Sequence, residues 1–349
     1  MPRSLRMPPA VAAIVSLAVA LGLVHATGAA AGADDALPDA AGAAPAATPA
    51  AATAAATAAA PNPLARGVAL PTYSAAAQAA ADARAQGRFD VAASFDVIAQ
   101  TPTATWLGEW YSDADLVRVL RAETQAAAQQ NRVATFVLYA IPARDCTAHS
   151  QGGLTPERYG PWTRLIAETL RGTASAVIVE PDALSMLGEC EGQGARTTYI
   201  RDAVRALTAA GIPAYIDAGN GNWIPPETMA QRLYDAGVLE ARGFATNVSN
   251  FSPTSVERDY AERVRMLLGG GPRYVIDTSR NGRGWQGDWC NPSNVGLGTT
   301  PRAITDGTAL DALLWIKRPG ESDGVCNGGP AAGSWYEAAA LELVRNRVY

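Results

Sequence analysis

Residues 177–186 read VIVEPDALSM. Val177, Ile178 and Val179 form an apolar run of the length expected for a strand buried on both faces. Glu180 and Asp182 stand where that strand must end, on either side of the rigid Pro181. Taking a carboxylate out of water is costly unless hydrogen bonds or an opposite charge compensate. The pair therefore asks for a reason beyond packing.

Working outward, six more segments read as short strands: 104–110 (ATWLGEW), 132–142 (RVATFVLYAIP), 213–219 (PAYIDAG), 243–251 (GFATNVSNF), 273–282 (RYVIDTSRNG) and 310–320 (LDALLWIKRPG). Between or after them lie segments of helical periodicity, at 112–131, 155–172, 197–211, 225–237, 252–270 and 334–346, several closed by Gly. Strands alternating with helices imply a parallel sheet with helices outside. Seven such units in one domain favour a seven-stranded, TIM-like parallel β/α barrel over an open sheet. Functional residues of such barrels gather at the C-terminal ends of the strands.

Several acids stand at those ends: Asp145, Asp182, Asp217, Asp277, and Glu321 with Asp323 beyond Lys317. A single acid after a strand is most often a helix cap or a turn residue. Several on one rim are harder to dismiss. Like charges in one cleft drive their pKa values apart, which keeps one carboxyl protonated near neutrality. Trp106, Trp223 and Trp289 lie at strand ends or in the following loops. Tryptophan is often core, but beside acids and Asn in a loop it suits the flat apolar face of a sugar ring.

The rest of the chain sets the context. Residues 1–31 carry a basic start, an apolar run and small residues, the pattern of a signal peptide, so the expected location is secreted, extracellular or periplasmic. The other reading of the apolar run is a membrane anchor. Residues 32–64 are an Ala/Pro/Thr-rich stretch that reads as a disordered linker, and 65–349 as a single catalytic domain. The net charge of −5 and the lack of a basic patch argue against nucleic acid. Four cysteines, Cys146, Cys190, Cys290 and Cys326, suggest two disulfides in an exported chain.

The stretches VLYAIPARDCTAHSQGG (137–153) and VIVEPDALSM resemble the two signatures of glycoside hydrolase family 6, the cellulases. DAGNGNW, NVSNF, GDWCNP and LWIKRPGESDG look like further blocks of that family, in order. The resemblance implies the distorted form of the seven-stranded parallel β/α barrel, with Asp182 as the general acid of an inverting, single-displacement hydrolysis of β-1,4-glucan. It implies that Asp145 tunes that acid and helps to order the water. Asp323 matches the base or charge stabiliser, and Tyr139 the tyrosine that favours sugar distortion. Lys317 and Glu321 match ligands of the neighbouring glucosyl unit, Trp106, Trp223 and Trp289 stacking platforms, Asn220 and Asn250 further substrate contacts, and Asp217 an acid of lesser role. Asn220 stands where the family commonly has His. The resemblance also implies the pairing Cys146–Cys190 and Cys290–Cys326, and leaves Glu180 as a structural acid.

No cofactor or metal is expected. The chain has two histidines, and His25 falls in the signal region, which disfavours a metal hydrolase or a Ser-His-Asp enzyme. A non-catalytic sugar-binding protein would keep the tryptophans and lose the acids. The expected partner is a polysaccharide, cellulose or a related β-glucan, bound by a monomer with no stable membrane association after signal cleavage. The short segments EGQGAR and SNVGLGTTPRAITDGTALDAL leave little chain to roof the cleft, so an open-cleft endoglucanase is expected, with a processive cellobiohydrolase as the alternative.

Overall fold

The computed structural model describes residues 61–348. The signal peptide read over 1–31, and the linker read over 32–64 up to residue 60, lie outside them. The packed domain begins slightly before residue 65: the Asn62 side-chain amide donates to the carbonyls of Ile304 and Asp311, and Leu64 is already buried in the barrel interior.

Strand β1 (Thr105–Leu107) is followed by α3 (Asp113–Gln129), and β2 (Ala134–Leu138) by α4 (Pro156–Leu170). Then come β3 (Ser175–Val179) and α5 (Arg196–Ala209), β4 (Ala214–Asp217) and α6 (Pro226–Asp235), and β5 (Gly243–Thr246) and α7 (Thr254–Leu267). The chain ends with β6 (Arg273–Asp277), β7 (Arg302–Ala303), β8 (Leu310–Leu314) and α8 (Glu337–Arg345). The sheet order is β1-β2-β3-β4-β5-β6-β8-β7, parallel throughout except for β7, which runs antiparallel to β8. All seven strands expected from the sequence are present. The two-residue β7 makes the count eight; it is too short and polar to show a pattern. The sheet curls until the Ala104 N–H reaches the Trp315 carbonyl (3.1 Å), one hydrogen bond between the entry to β1 and the exit of β8.

Two-residue alternation divides the strands between two cores. Val137, Ile178, Tyr215, Ala245, Val275 and Ala312 fill the interior of the curl. Phe136, Val177, Ile216, Phe244 and Ile276 face the outer helices. Helix α3 illustrates how those helices are set. Ser112 caps it by accepting the Asp115 N–H, Asp113 and Asp115 complement the dipole, and Leu116, Leu120 and Ala127 form the buried stripe.

Two helices precede the barrel, α1 (Ala75–Ala85) and α2 (Phe89–Ala99). Alanine dominates α1, so periodicity gives little signal there; Ser74 caps it and Ala76, Ala80 and Ala83 are buried. With α8, Phe251, Leu297 and Trp315 they make a third apolar cluster.

Asp311 on β8 is fully buried and accepts from Tyr215 Oη (2.7 Å), Arg242 Nε (2.9 Å) and Arg273 Nε (3.3 Å). Removing one member of a buried pair leaves the other charge uncompensated. Asp311→Asn should therefore cost about 3–5 kcal/mol in urea unfolding, and a loss below about 1 kcal/mol would contradict this account.

Candidate active site

A cleft of about 1480 Å3 lies at the C-terminal ends of the strands. Asp145, Asp182, Asp323, Tyr139, Trp106, Asn220, Trp223, Asn250, Trp289, Lys317 and Glu321 all line it. Asp217 and Asp277 do not; both are buried beneath it.

The corner at the end of β3 explains its two acids. Glu180 and Asp182 both take left-handed backbone, with φ of 53° and 66°, on either side of Pro181. Such backbone costs about 1–3 kcal/mol for a residue other than Gly and persists only where its surroundings enforce it. The turn sends the two side chains to different places. Glu180 is fully buried and accepts the N–H groups of Ala140 (3.0 Å) and Ile141 (3.0 Å) just past β2, and burial lifts its pKa to about 7. Asp182 turns into the cleft.

Two more buried acids repeat this use of a strand-end carboxylate. Asp217 at the end of β4 accepts the backbone N–H of Asp182 (2.9 Å) and of Gly219 (3.0 Å). Burial, against those two hydrogen bonds, raises its pKa to about 7. Asp277 at the end of β6 accepts from the Ser249 (3.1 Å), Ser279 (2.9 Å) and Lys317 (2.9 Å) backbones.

The charges in the cleft are unequal. Burial first, then the nearby Asp145, Asp217 and Asp323, hold the Asp182 pKa well above the usual carboxylate range. Asp145 is raised as well, mainly by burial, while the Tyr139 hydroxyl donates to it and the Arg144 charge opposes the rise. Asp323 goes the other way. Its burial is outweighed by Arg280, bonded at 2.8 and 2.9 Å, and by Lys317 at 3.3 Å, so its pKa is lowered. Glu321 is raised by burial and ion-paired to Arg318 (3.1 Å).

Aromatic rings line the cleft. Trp106 meets Tyr139 edge-on, 4.9 Å between centroids, and donates to the Ile316 carbonyl (2.9 Å). Trp223 and Trp289 are exposed. Asn220 is buried and its side-chain oxygen accepts the Asn222 N–H (3.0 Å). Disulfides join Cys146 to Cys190 and Cys290 to Cys326, each within loops that carry the acids.

Four residues of the cleft region are not singled out by the sequence. Arg144 stacks its guanidinium 4.3 Å from the Tyr139 ring centroid and pairs with Glu109 (2.6 Å). Arg280 anchors Asp323. Trp110 and Trp285 are exposed on the cleft wall. Arg144 is adjacent to Asp145, Trp110 follows β1 in GEWYSD, and Trp285 sits in the Gly-rich stretch GRGWQG after β6.

Acids whose pKa values are driven in opposite directions, among exposed tryptophans at the C-terminal rim of a β/α barrel, fit a glycoside hydrolase. A family model, "Glycosyl hydrolases family 6", matches residues 65–347, and the chain belongs to that family. Endoglucanase A of Cellulomonas fimi is 45% identical over 254 residues, 73% of this chain and 56% of that protein, so the chain spans little more than half that relative's length. Endoglucanase 1 of Streptomyces sp. (strain KSM-9) is 38% identical over 253 residues, 70% of each chain. The structure of the endoglucanase Cel6 from Mycobacterium tuberculosis, in complex with methyl-cellobiosyl-4-deoxy-4-thio-β-D-cellobioside, superposes with a TM-score of 0.76 at 40% identity, covering 82% of this chain and 99% of that one.

An acid whose pKa rises on folding holds its proton more tightly in the folded state. Its contribution to stability is complete below the unfolded pKa and is lost as pH rises through the folded value. Asp182→Asn removes that ionisation. The variant should melt higher than the parent near neutral pH, and the difference should vanish below about pH 4, the unfolded aspartate value. Calorimetry across pH checks this, and a variant that melts lower at every pH would contradict it.

Proposed function

We propose that the protein is a secreted, inverting endo-β-1,4-glucanase that hydrolyses internal bonds of cellulose or a related β-glucan. One observation carries the reading: a single cleft holds Asp182, whose pKa burial and neighbouring carboxylates raise, and Asp323, whose pKa Arg280 and Lys317 lower against its burial. A carboxyl that retains its proton near neutrality can give it to a leaving oxygen, and a fixed anion can stabilise positive charge or take a proton from water.

In this mechanism Asp182 protonates the glycosidic oxygen while a water attacks the opposite face of the sugar, and no glycosyl-enzyme forms. Asp145 shares the Asp182 field, and its bond from Tyr139 fixes the wall beside the reacting ring. Lys317 and Glu321 offer polar contacts to the adjoining unit. The relatives' names, endoglucanases of Cellulomonas and Streptomyces, and the cellobiosyl ligand named with the Mycobacterium enzyme favour a β-1,4-glucan substrate.

Endo action is favoured by the exposure of the cleft's rings. Trp110, Trp223, Trp285 and Trp289 are 51%, 39%, 46% and 45% exposed, whereas a roof over the cleft would cover them. The alternative is a processive cellobiohydrolase of the same family.

First products from cello-oligosaccharides should be α-anomers by proton NMR; initial β-anomers would sink the inverting mechanism. Asp182→Asn should lower kcat by about 10²–10⁴ on unactivated substrates. Viscometry of carboxymethyl cellulose separates endo from exo cutting. A steep fall in viscosity for few new reducing ends is expected, and a slow fall with cellobiose as almost the sole product would favour the cellobiohydrolase.

A further inference from the structure

Trp285 has no part in the chemistry described above, yet it is 46% exposed on the cleft wall. An indole pairs a flat apolar face with a polar N–H, which suits a ring held at a binding surface. The loop that carries it is braced. Gln286 donates to the carbonyls of Arg283 (2.9 Å) and Gly284 (3.3 Å), and the Asn294 amide donates to the Gln286 side-chain oxygen (2.8 Å). The ring is thus presented from a fixed loop.

The wall beneath it is continuous with the site. Gly284 packs against Pro253, where an added Cβ would come within 3.3 Å of the proline ring. Next to Pro253, Ser252 accepts from the Asn222 amide (3.4 Å), and Asn222 adjoins Trp223. Val256, on the first turn of α7, adds an exposed apolar side chain to the same lining. This strip runs from the β4–α6 loop across the β5–α7 loop to the loop after β6. Asn222, Ser252, Pro253, Val256 and Gly284, which make it up, are all uncharged.

We propose that Trp285, backed by Pro253 and Val256, is an outlying sugar platform that stacks on a β-glucan unit beyond those held at the reacting centre. The proposal rests on the β-glucanase reading above. The apolar faces of a glucosyl ring suit an exposed indole, and a chain leaving the central subsites along this strip meets Trp285 last. The platform selects for chain length and leaves the chemical step untouched. It adds affinity only when the substrate is long enough to reach it.

The test compares kcat/KM on cello-oligosaccharides from four to seven glucose units for the parent, Trp285→Ala and Trp285→Tyr. Trp285→Ala should leave cellotetraose unchanged and lower kcat/KM on the longest oligomer by about 3–10-fold, the range of one aromatic stacking contact. Trp285→Tyr should recover most of that loss. An equal effect at every length, or none at any length, would overturn the platform. Parent protein inactive on all these oligomers would overturn the β-glucanase reading and the platform with it. Parent activity with a flat response to Trp285→Ala would remove the platform alone.

Discussion

The barrel rim depends on how buried carboxylates are satisfied. Glu180, Asp217 and Asp277 each end a strand, and each accepts backbone N–H groups from beyond a neighbouring strand. The end of β3 is thereby tied to the exit of β2, the end of β4 to the corner after β3, and the end of β6 to the loops after β5 and β8. A buried acid without such donors would be a large penalty. With them it becomes a tether that fixes where the next loop starts. The position of Asp182 follows from this, since its own N–H is one of the groups held.

The same arrangement sets the electrostatics. The tethers keep Asp217 close beneath Asp182, and the field of that neighbour helps to raise the Asp182 pKa. Arg280 and Lys317 sit on the other side and are spent on Asp323. One cleft thus holds acids of opposite tendency because cations reach Asp323, whereas burial and neighbouring carboxylates act on Asp182. Left-handed backbone at Ala143, Asp145, Glu180 and Asp182 accompanies this, at the two corners where the acids leave their strands.

Much of this was legible in the chain. Strand runs such as VIVE and helices such as 112–131 announced themselves by period and caps, because barrel strands are buried on both faces and the helices on one. The acids and loop tryptophans were legible as a group because they recur at the same place in successive units. What escaped was set by contacts distant in sequence. The role of Glu180 depends on Ala140 and Ile141, about forty positions earlier, and no local pattern records it. Arg280 reads as an ordinary loop cation until Asp323 is beside it. Helix α1 is nearly all alanine and is recognised by what packs on it. The short β7 exists only as a partner for β8.

One joint in the ring differs from the others. Between β1 and β8 there is no ladder; the Ala104 N–H reaches the Trp315 carbonyl and the Trp106 indole N–H the Ile316 carbonyl. Across that joint lie α1 and α2, which precede β1, and α8, which follows β8, packed with Trp315 in one apolar cluster and linked by the Arg88–Glu337 ion pair. The barrel is therefore a split collar, and its clasp is made from the two ends of the folded domain. Chain that looks peripheral to the cleft is what keeps the collar shut.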